Sequence, residues 1–185
     1  MKNELRIIGG TWRSRKLRFP DAPGLRPTAD RVRETLFNWL GQNLEELTCL
    51  DLFAGSGALG FEAASRGARR VVMVEQAGEA VQALKSNCDL LAAKASVQLV
   101  QMDARRYLQG EPETFDVVFL DPPFHMNLLP AVCQMLEVRG WLAAGSRVYL
   151  ESESDSTLEG LPENWHSLRA KKAGDVAYRL YQKMS

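Results

Sequence analysis

Two stretches of this 185-residue sequence carry residue types that could do chemistry together. The first is Leu50-Asp51-Leu52-Phe53-Ala54-Gly55-Ser56-Gly57-Ala58-Leu59-Gly60, an apolar run, an acid, then a loop of small residues. Glycines there let a backbone approach a bound molecule where a Cβ would collide with it. The second is Asp121-Pro122-Pro123-Phe124, at the end of another apolar run. Consecutive prolines remove two backbone donors and stiffen the turn, leaving carbonyls free to face a ligand. The Asp121 carboxylate and the Pro122 carbonyl can then both accept from one NH2 group. An exocyclic amine on a base is a poor nucleophile, because its lone pair is delocalised into the ring. Two acceptors pull its hydrogens out of plane and aim the lone pair at an electrophilic carbon. Phe124 would stack on the base, a contact worth roughly 1–3 kcal/mol. The first stretch therefore reads as the holder of a methyl donor, and the second as the part that presents a nitrogen to it. Such an in-line displacement needs orientation and exclusion of water, and no metal.

Two further acids fit this reading. Glu75 lies eighteen residues after Gly57 and could accept from both hydroxyls of a ribose. Asp103 could accept from an adenine amino group. The spacing Gly55-x-Gly57-x-x-Gly60 matches a dinucleotide fingerprint, which serves NAD and S-adenosylmethionine alike. Asp51, Glu75 and Asp103 could equally cap helices. What separates the two cofactors is Asp51, ahead of the glycines, together with Asp121–Phe124. A nicotinamide enzyme needs neither, whereas a methyltransferase can use Asp51 near the donor's cationic amino acid portion. His125 and His166 lack ligand spacing, and His125 reads as a loop residue beside the tetrapeptide.

The elements that must position these residues follow from periodicity. Strands are predicted at Thr48–Leu52, Arg70–Glu75, Ser96–Gln101, Phe115–Leu120 and Arg147–Glu151. Helices are predicted near Ala58–Arg66, Gly78–Ala93, Ala104–Gln109 and Asn127–Glu137. This alternation predicts an α/β fold with a doubly wound, mostly parallel sheet. Asp51, Glu75, Asp103 and Asp121 then fall at the carboxyl ends of its strands, where ligands bind. Trp165–Ala170 and Val176–Tyr181 predict an antiparallel C-terminal hairpin. Ahead of the sheet, Leu5–Gly10 and Lys16–Phe19 read as a small hairpin or loose arm, followed by a proline-rich linker. Thr28 is predicted to cap a helix over Ala29–Leu44, in which Trp39 is a packing residue. The organisation expected is an arm and linker over residues 1–27, then a catalytic domain over residues 28–185.

Composition is that of an ordinary globular chain, with 45% apolar and 25% charged residues. A chain of this length buries roughly 70% of its unfolded surface and needs no staples. Cys49, Cys88 and Cys133 are scattered and odd in number, which predicts buried free thiols in a reducing, cytoplasmic compartment. No window suits a membrane span and no signal peptide is visible. The net charge is zero, but residues 1–33 hold nine basic side chains against three acids. That segment carries +6 and the remainder −6, an asymmetry suited to a polyanion, with Arg13, Arg15 and Lys16 the RNA-binding candidates. The acidic stretch Glu151–Glu159 is expected to face away from such a partner.

Taken together, Asp51–Gly60, Glu75, Asp103 and Asp121–Phe124 resemble the class I S-adenosylmethionine-dependent methyltransferases that modify amino nitrogens. Arg6-Ile7-Ile8-Gly9-Gly10, Arg13-Ser14-Arg15-Lys16-Leu17 and Arg26–Glu34 narrow the resemblance to bacterial 16S ribosomal RNA guanine-N2 methyltransferases of the small subunit. The resemblance implies a seven-stranded Rossmann-like sheet and a monomer acting on guanine 966 of 16S rRNA, within a small-subunit particle. It implies that Asp51, Gly55, Gly57, Glu75 and Asp103 hold the cofactor, with Phe53, Gln76 and Ala104 beside them. Arg26–Arg33 would fold over the cofactor, with Thr28 as its contact. Asp121, Pro122, Pro123 and Phe124 would receive the guanine, flipped out of its stack. Three rivals remain: an adenine-N6 or glutamine methyltransferase, a nicotinamide-dependent oxidoreductase, and a non-catalytic RNA-binding protein. Asp-Pro-Pro-Phe in place of Asn-Pro-Pro-Tyr weighs against the glutamine enzyme.

Overall fold

A computed structural model of the chain describes residues 3–185. Its centre is a seven-stranded sheet built from β3 (Thr48–Asp51), β4 (Arg70–Glu75), β5 (Val97–Gln101), β6 (Phe115–Leu120), β7 (Leu142–Glu153), β8 (Trp165–Ala173) and β9 (Val176–Lys183). Their order across the sheet is β5-β4-β3-β6-β7-β9-β8. The pairs β3–β4, β4–β5, β3–β6 and β6–β7 are parallel, and the C-terminal hairpin adds β9 and β8 antiparallel. The direction of winding reverses between β3 and β6, which opens a crevice above their carboxyl ends. The predicted fold class is the one observed.

Strands buried on both faces explain the unbroken apolar runs Val71–Val74 and Val117–Leu120. On one face pack α1 (Asp30–Leu40), α2 (Ala58–Ser65) and α3 (Gly78–Leu91), in a core containing Leu36, Phe37, Phe61, Met73 and Phe119. On the other lie α4 (Ala104–Leu108) and α5 (Leu129–Val138), around Leu120, Val132, Leu136 and Trp141. The three cysteines are buried and unpaired, and desolvation pushes the Cys88 thiol up to about 11. Among the described residues, no helix is long and apolar enough to cross a membrane.

The N-terminal hairpin is formed by β1 (Asn3–Arg6) and β2 (Lys16–Phe19), paired antiparallel. It is no loose arm. Leu5, Ile7, Leu17 and Phe19 are buried in the same core as α1 and α2, and such side chains contribute about 1.5–3 kcal/mol each. Polar bonds fasten it further: Ile8 and Gly9 donate backbone N–H bonds to the Glu62 carboxylate, at 3.0 and 2.8 Å.

Several boundaries differ from the sequence reading, each for a local reason. Helix α1 stops at Leu40 because Gly41 takes a φ of +89°, which ends the helix before Leu44. Strand β7 is twelve residues long, starting at Leu142, and the irregular pairing between Phe115 and Val117 masks its early half from a periodicity argument. Ala29, not Thr28, occupies the N-cap of α1, and no side chain caps it. The Thr28 hydroxyl is engaged elsewhere.

Candidate functional site

The small-residue loop after β3 is fixed by its own geometry. Gly57 has a φ of +83°, and a Cβ there would lie 2.6 Å from the Phe61 ring. Gly55 also has positive φ, with Leu25 close over it. Gly60 answers to packing instead, since a Cβ would press to 2.8 Å from Met73 on β4. Asp51 Oδ2 accepts the Gly60 N–H at 3.0 Å and ties the loop to the first turn of α2. Burial, with the field of Glu75, pushes the Asp51 carboxyl up to about 7.

Glu75 ends β4 beside this loop. One of its oxygens accepts the Gly55 N–H at 2.8 Å, and the other accepts the Ala77 N–H at 2.9 Å. Each oxygen keeps a lone pair for a further donor. Phe53 is half-buried against the β5–α4 side, Gln76 is exposed, and Ala104 is buried at the start of α4. Asp103 caps α4, its Oδ1 accepting the Arg106 N–H at 3.0 Å, which leaves Oδ2 outside that bond. Capping and ligand holding are therefore compatible in one side chain. The acceptor set along this rim is acidic, half-buried and partly free, which suits the hydroxyl and amino donors of an adenosine.

Asp121 stands at the end of β6, next to β3 across the switch point. Pro122 is buried, while Pro123 and Phe124 reach solvent, Phe124 being 38% exposed. That exposure leaves a ring face open to a planar partner. The loop is anchored by Glu153, whose carboxylate accepts the His125 N–H and lies near the His125 ring. His125 itself adopts φ +65° in an exposed turn.

Beneath Asp121 lies a group that the sequence did not disclose. Thr28 Oγ1 is 3.3 Å from Asp121 Oδ2 and 3.3 Å from Glu151 Oε2. The Tyr149 hydroxyl donates to the same Glu151 oxygen at 3.0 Å. Burial, then Glu151 and Asp51, raise the Asp121 carboxyl well above the usual carboxylate range. Burial also raises Glu151, although the Tyr149 and Thr28 hydroxyls oppose it. The stretch Glu151–Glu159, expected to face away from RNA, begins inside the site: Glu151 is 6% exposed beside Asp121, and Glu153 braces the proline loop. Glu151 ends an apolar strand run, as Glu75 does. Its position there was the available signal.

The basic segment also needs correction. Arg33 is fully buried, donating to the Thr28 carbonyl at 3.1 Å, the Arg6 carbonyl at 3.0 Å and Glu62 at 3.2 Å. It is a fastener and presents no charge to a polyanion. Arg13, Arg15 and Lys16 are exposed on the hairpin. Arg15 donates to the Leu90 carbonyl at 2.9 Å, and Lys16 pairs with Glu4 at 3.4 Å. A cleft of about 320 Å3, touching Arg6, Lys16, Thr28 and Asp30, runs from the hairpin to Thr28.

The chain has close relatives among known proteins. Residues 5–182 match the family described as conserved hypothetical protein 95. The chain is 48% identical over 180 residues to ribosomal RNA small subunit methyltransferase D of Escherichia coli, covering 97% of this chain and 90% of that protein. Its fold superposes on the solved yhhF structure from Escherichia coli with a TM-score of 0.91 and 45% identity, over 98% of this chain and 99% of that one. A more distant structure is the T. thermophilus 16S rRNA N2 G1207 methyltransferase in complex with AdoMet and guanosine. There the TM-score is 0.75 and the identity 25%, over 99% of this chain and 50% of that one.

Proposed function

We propose, because the chain belongs to the family described as conserved hypothetical protein 95, that it methylates small-subunit ribosomal RNA from S-adenosylmethionine, at the exocyclic N2 of a guanine (guanine 966 of 16S rRNA). The observation that carries this reading is the meeting of Asp121–Phe124 with the Gly55–Gly57 loop at the switch point between β3 and β6.

S-adenosylmethionine supplies a methyl carbon made electrophilic by its sulfonium. Glu75 would hold the ribose hydroxyls and Asp103 the adenine amine, with Phe53, Gln76 and Ala104 lining that side. Gly55 and Gly57 keep the loop low enough for close approach. Asp51, tied to Gly60, would lie below the donor's amino acid portion, whose cationic group favours its ionised form. Asp121 and the Pro122 carbonyl accept the two N2 hydrogens and turn the nitrogen lone pair toward the methyl carbon. Phe124 stacks on the base, which must leave its helix or loop stack to arrive there. Thr28 holds Asp121 through its hydroxyl, and the Arg26–Arg33 segment that carries it would close over the donor. Catalysis is then mainly positioning, with the crevice excluding water.

Two basic strips support an RNA partner. One is Arg13, Arg15 and Lys16, of which Lys16 lines the cleft that leads to Thr28. The other is Arg169, Lys171 and Lys172 on the outer strand β8, which lie beyond salt-bridge reach of any carboxylate among the described residues. The register Glu151–Tyr178–Lys171 sets Lys171 two strands from Glu151, about 10 Å at ordinary strand spacing. Replacing Arg13, Arg15 and Lys16 with alanine should weaken binding and reduce the slope of log affinity against log salt. Each lost phosphate contact is worth about 0.7–0.9 in that slope. An unchanged slope would leave those side chains as a solvated edge of the hairpin.

The buried, unpaired cysteines support a reducing cytoplasm as the site of action. Mass-spectrometric mapping of nucleosides in small-subunit RNA, from cells with and without the protein, tests the whole reading. One N2-methylguanosine should disappear without it. Loss of an N6-methyladenosine instead would transfer the assignment to adenine, and an unaltered map would remove ribosomal RNA as the substrate.

A further inference from the structure

We propose that Glu151 is a positioning residue for methyl transfer: through the Thr28 hydroxyl that both carboxylates share, it makes Asp121 the group that takes the proton released by the methylated nitrogen. The proposal rests on the methyltransferase reading above.

The geometry begins with a shortage of hydrogens. Thr28 Oγ1 lies 3.3 Å from both Asp121 Oδ2 and Glu151 Oε2, yet it has one hydrogen to donate. Thr28 cannot turn away easily, because it is buried and its carbonyl accepts from Arg33 Nε at 3.1 Å. Glu151 is fixed as well by the Tyr149 hydroxyl. The groups facing the pair leave it negative. Asp51 stands alongside from β3, with Glu75 beyond it on β4, and Tyr178 of β9 lies behind Tyr149. Arg33 of α1 and Arg179 of β9 are nearby cations, but the Arg33 guanidinium is taken by the carbonyls of Thr28 and Arg6 and by Asp30 and Glu62, and Arg179 donates to the Ser152 hydroxyl at 3.2 Å. Among the described residues no lysine or arginine forms a salt bridge with Asp121 or Glu151.

Two desolvated carboxylates without a cation bind a proton more readily than either would alone, and they titrate as a pair. The reaction produces one proton to bind. The N2 lone pair forms the new N–C bond while the C–S bond breaks with its electrons going to sulfur. The nitrogen, now positively charged, gives up one hydrogen along its bond to Asp121, which passes from carboxylate to acid. A base whose proton affinity is raised above that of an ordinary aspartate does this better. Asp121 is only partly covered, so the proton can leave to solvent once product departs.

The test uses the full chain and two readouts. Carboxyl 13C NMR titration, with the Asp121 signal assigned by comparison with Asp121→Asn, needs no RNA substrate. In Glu151→Gln the Asp121 signal should titrate at lower pH, with a proton affinity weaker by roughly tenfold, one pH unit. In Thr28→Val, which removes the hydroxyl stabilising both anions, it should move the opposite way, and Thr28→Ser should restore it. The acid limb of single-turnover methyl transfer to unmethylated small subunits should shift with Glu151→Gln in the same direction, while calorimetric affinity for S-adenosylmethionine stays within about twofold. An Asp121 titration unmoved by Glu151→Gln overturns the proposal. So does a loss of donor affinity with an unmoved acid limb, which would assign Glu151 to the donor site. A moved titration beside a wild-type protein that methylates no ribosomal RNA upholds the carboxylate pair and overturns the substrate reading instead.

Discussion

Asp121→Ala is expected to lose methyl transfer by on the order of a thousandfold, while S-adenosylmethionine binds within about twofold of wild type. The size follows from the two tasks on one carboxylate. A preorganised polar group aimed at the reacting atom contributes about a hundred- to a thousandfold. A positioned proton acceptor adds a comparable factor, though the two overlap in one side chain. Donor affinity is spared because Asp121 bonds to Thr28, whereas the acids at the adenosine rim are Glu75 and Asp103. The same variant should be at least as stable as wild type at neutral pH. The Asp121 carboxyl binds its proton more tightly folded than unfolded, where the ordinary value is 3.8. Its contribution to stability is therefore full below that value and is lost as pH rises through the raised folded value. Asp121→Ala should flatten this decline in a series of denaturant titrations. Lost donor binding would move Asp121 into the cofactor site, and a sharp loss of stability would make it a structural residue.

The contrast between Asp121 and Glu151 shows what a linear reading can and cannot reach. Asp121, Glu75 and the glycine loop were legible because each belongs to a short local pattern at a strand end. Local patterns survive without knowledge of the fold. Glu151 was misplaced because its neighbours Glu153, Asp155 and Glu159 made the stretch look like a solvated acidic face. Only the parallel pairing of β6 with β7, which sets Leu150 beside Leu120, and the closure of the linker over β6 bring it to Asp121. Thr28 shows the same limit at shorter range. A threonine before a helix has a hydroxyl suited to capping, and sequence cannot tell that a buried and a half-buried carboxylate compete for it. Arg33 was counted as surface charge, since nothing local marks an arginine whose partner is twenty-nine residues away on α2. The strands, helices and sheet class were readable for the opposite reason: burial on both faces leaves long apolar runs that a single segment displays.

That hidden fastener supports the second large effect. Glu62→Ala should destabilise the protein by about 3–5 kcal/mol, the range for breaking a buried ion pair by removing one partner. Glu62 is fully buried on α2, and its two oxygens serve four donors. Gly9 N–H and Arg66 Nε approach one oxygen at 2.8 and 3.0 Å. Ile8 N–H and Arg33 Nη1 approach the other at 3.0 and 3.2 Å. Alanine would leave two buried guanidinium groups facing each other and two backbone donors unpaired. Whole domains are stable by only about 5–15 kcal/mol, so the variant should unfold at a much lower denaturant concentration. Replacing the three charged residues together, Glu62→Leu with Arg33→Met and Arg66→Met, should recover only the part of the loss that comes from the unpaired charges, since the Ile8 and Gly9 N–H groups stay without their acceptor. Hydrogen exchange at Ile8 and Gly9 should accelerate in Glu62→Ala before global unfolding. A denaturation midpoint close to wild type would show that the cluster adds little to stability. The consequence reaches the reaction centre through Arg33. Its bond to the Thr28 carbonyl is what presents the Thr28 hydroxyl to Asp121 and Glu151. A protein with the fastener cut but the sheet still folded should therefore hold S-adenosylmethionine through Glu75 and transfer its methyl group slowly, which ties the hairpin's attachment to the chemistry at Asp121.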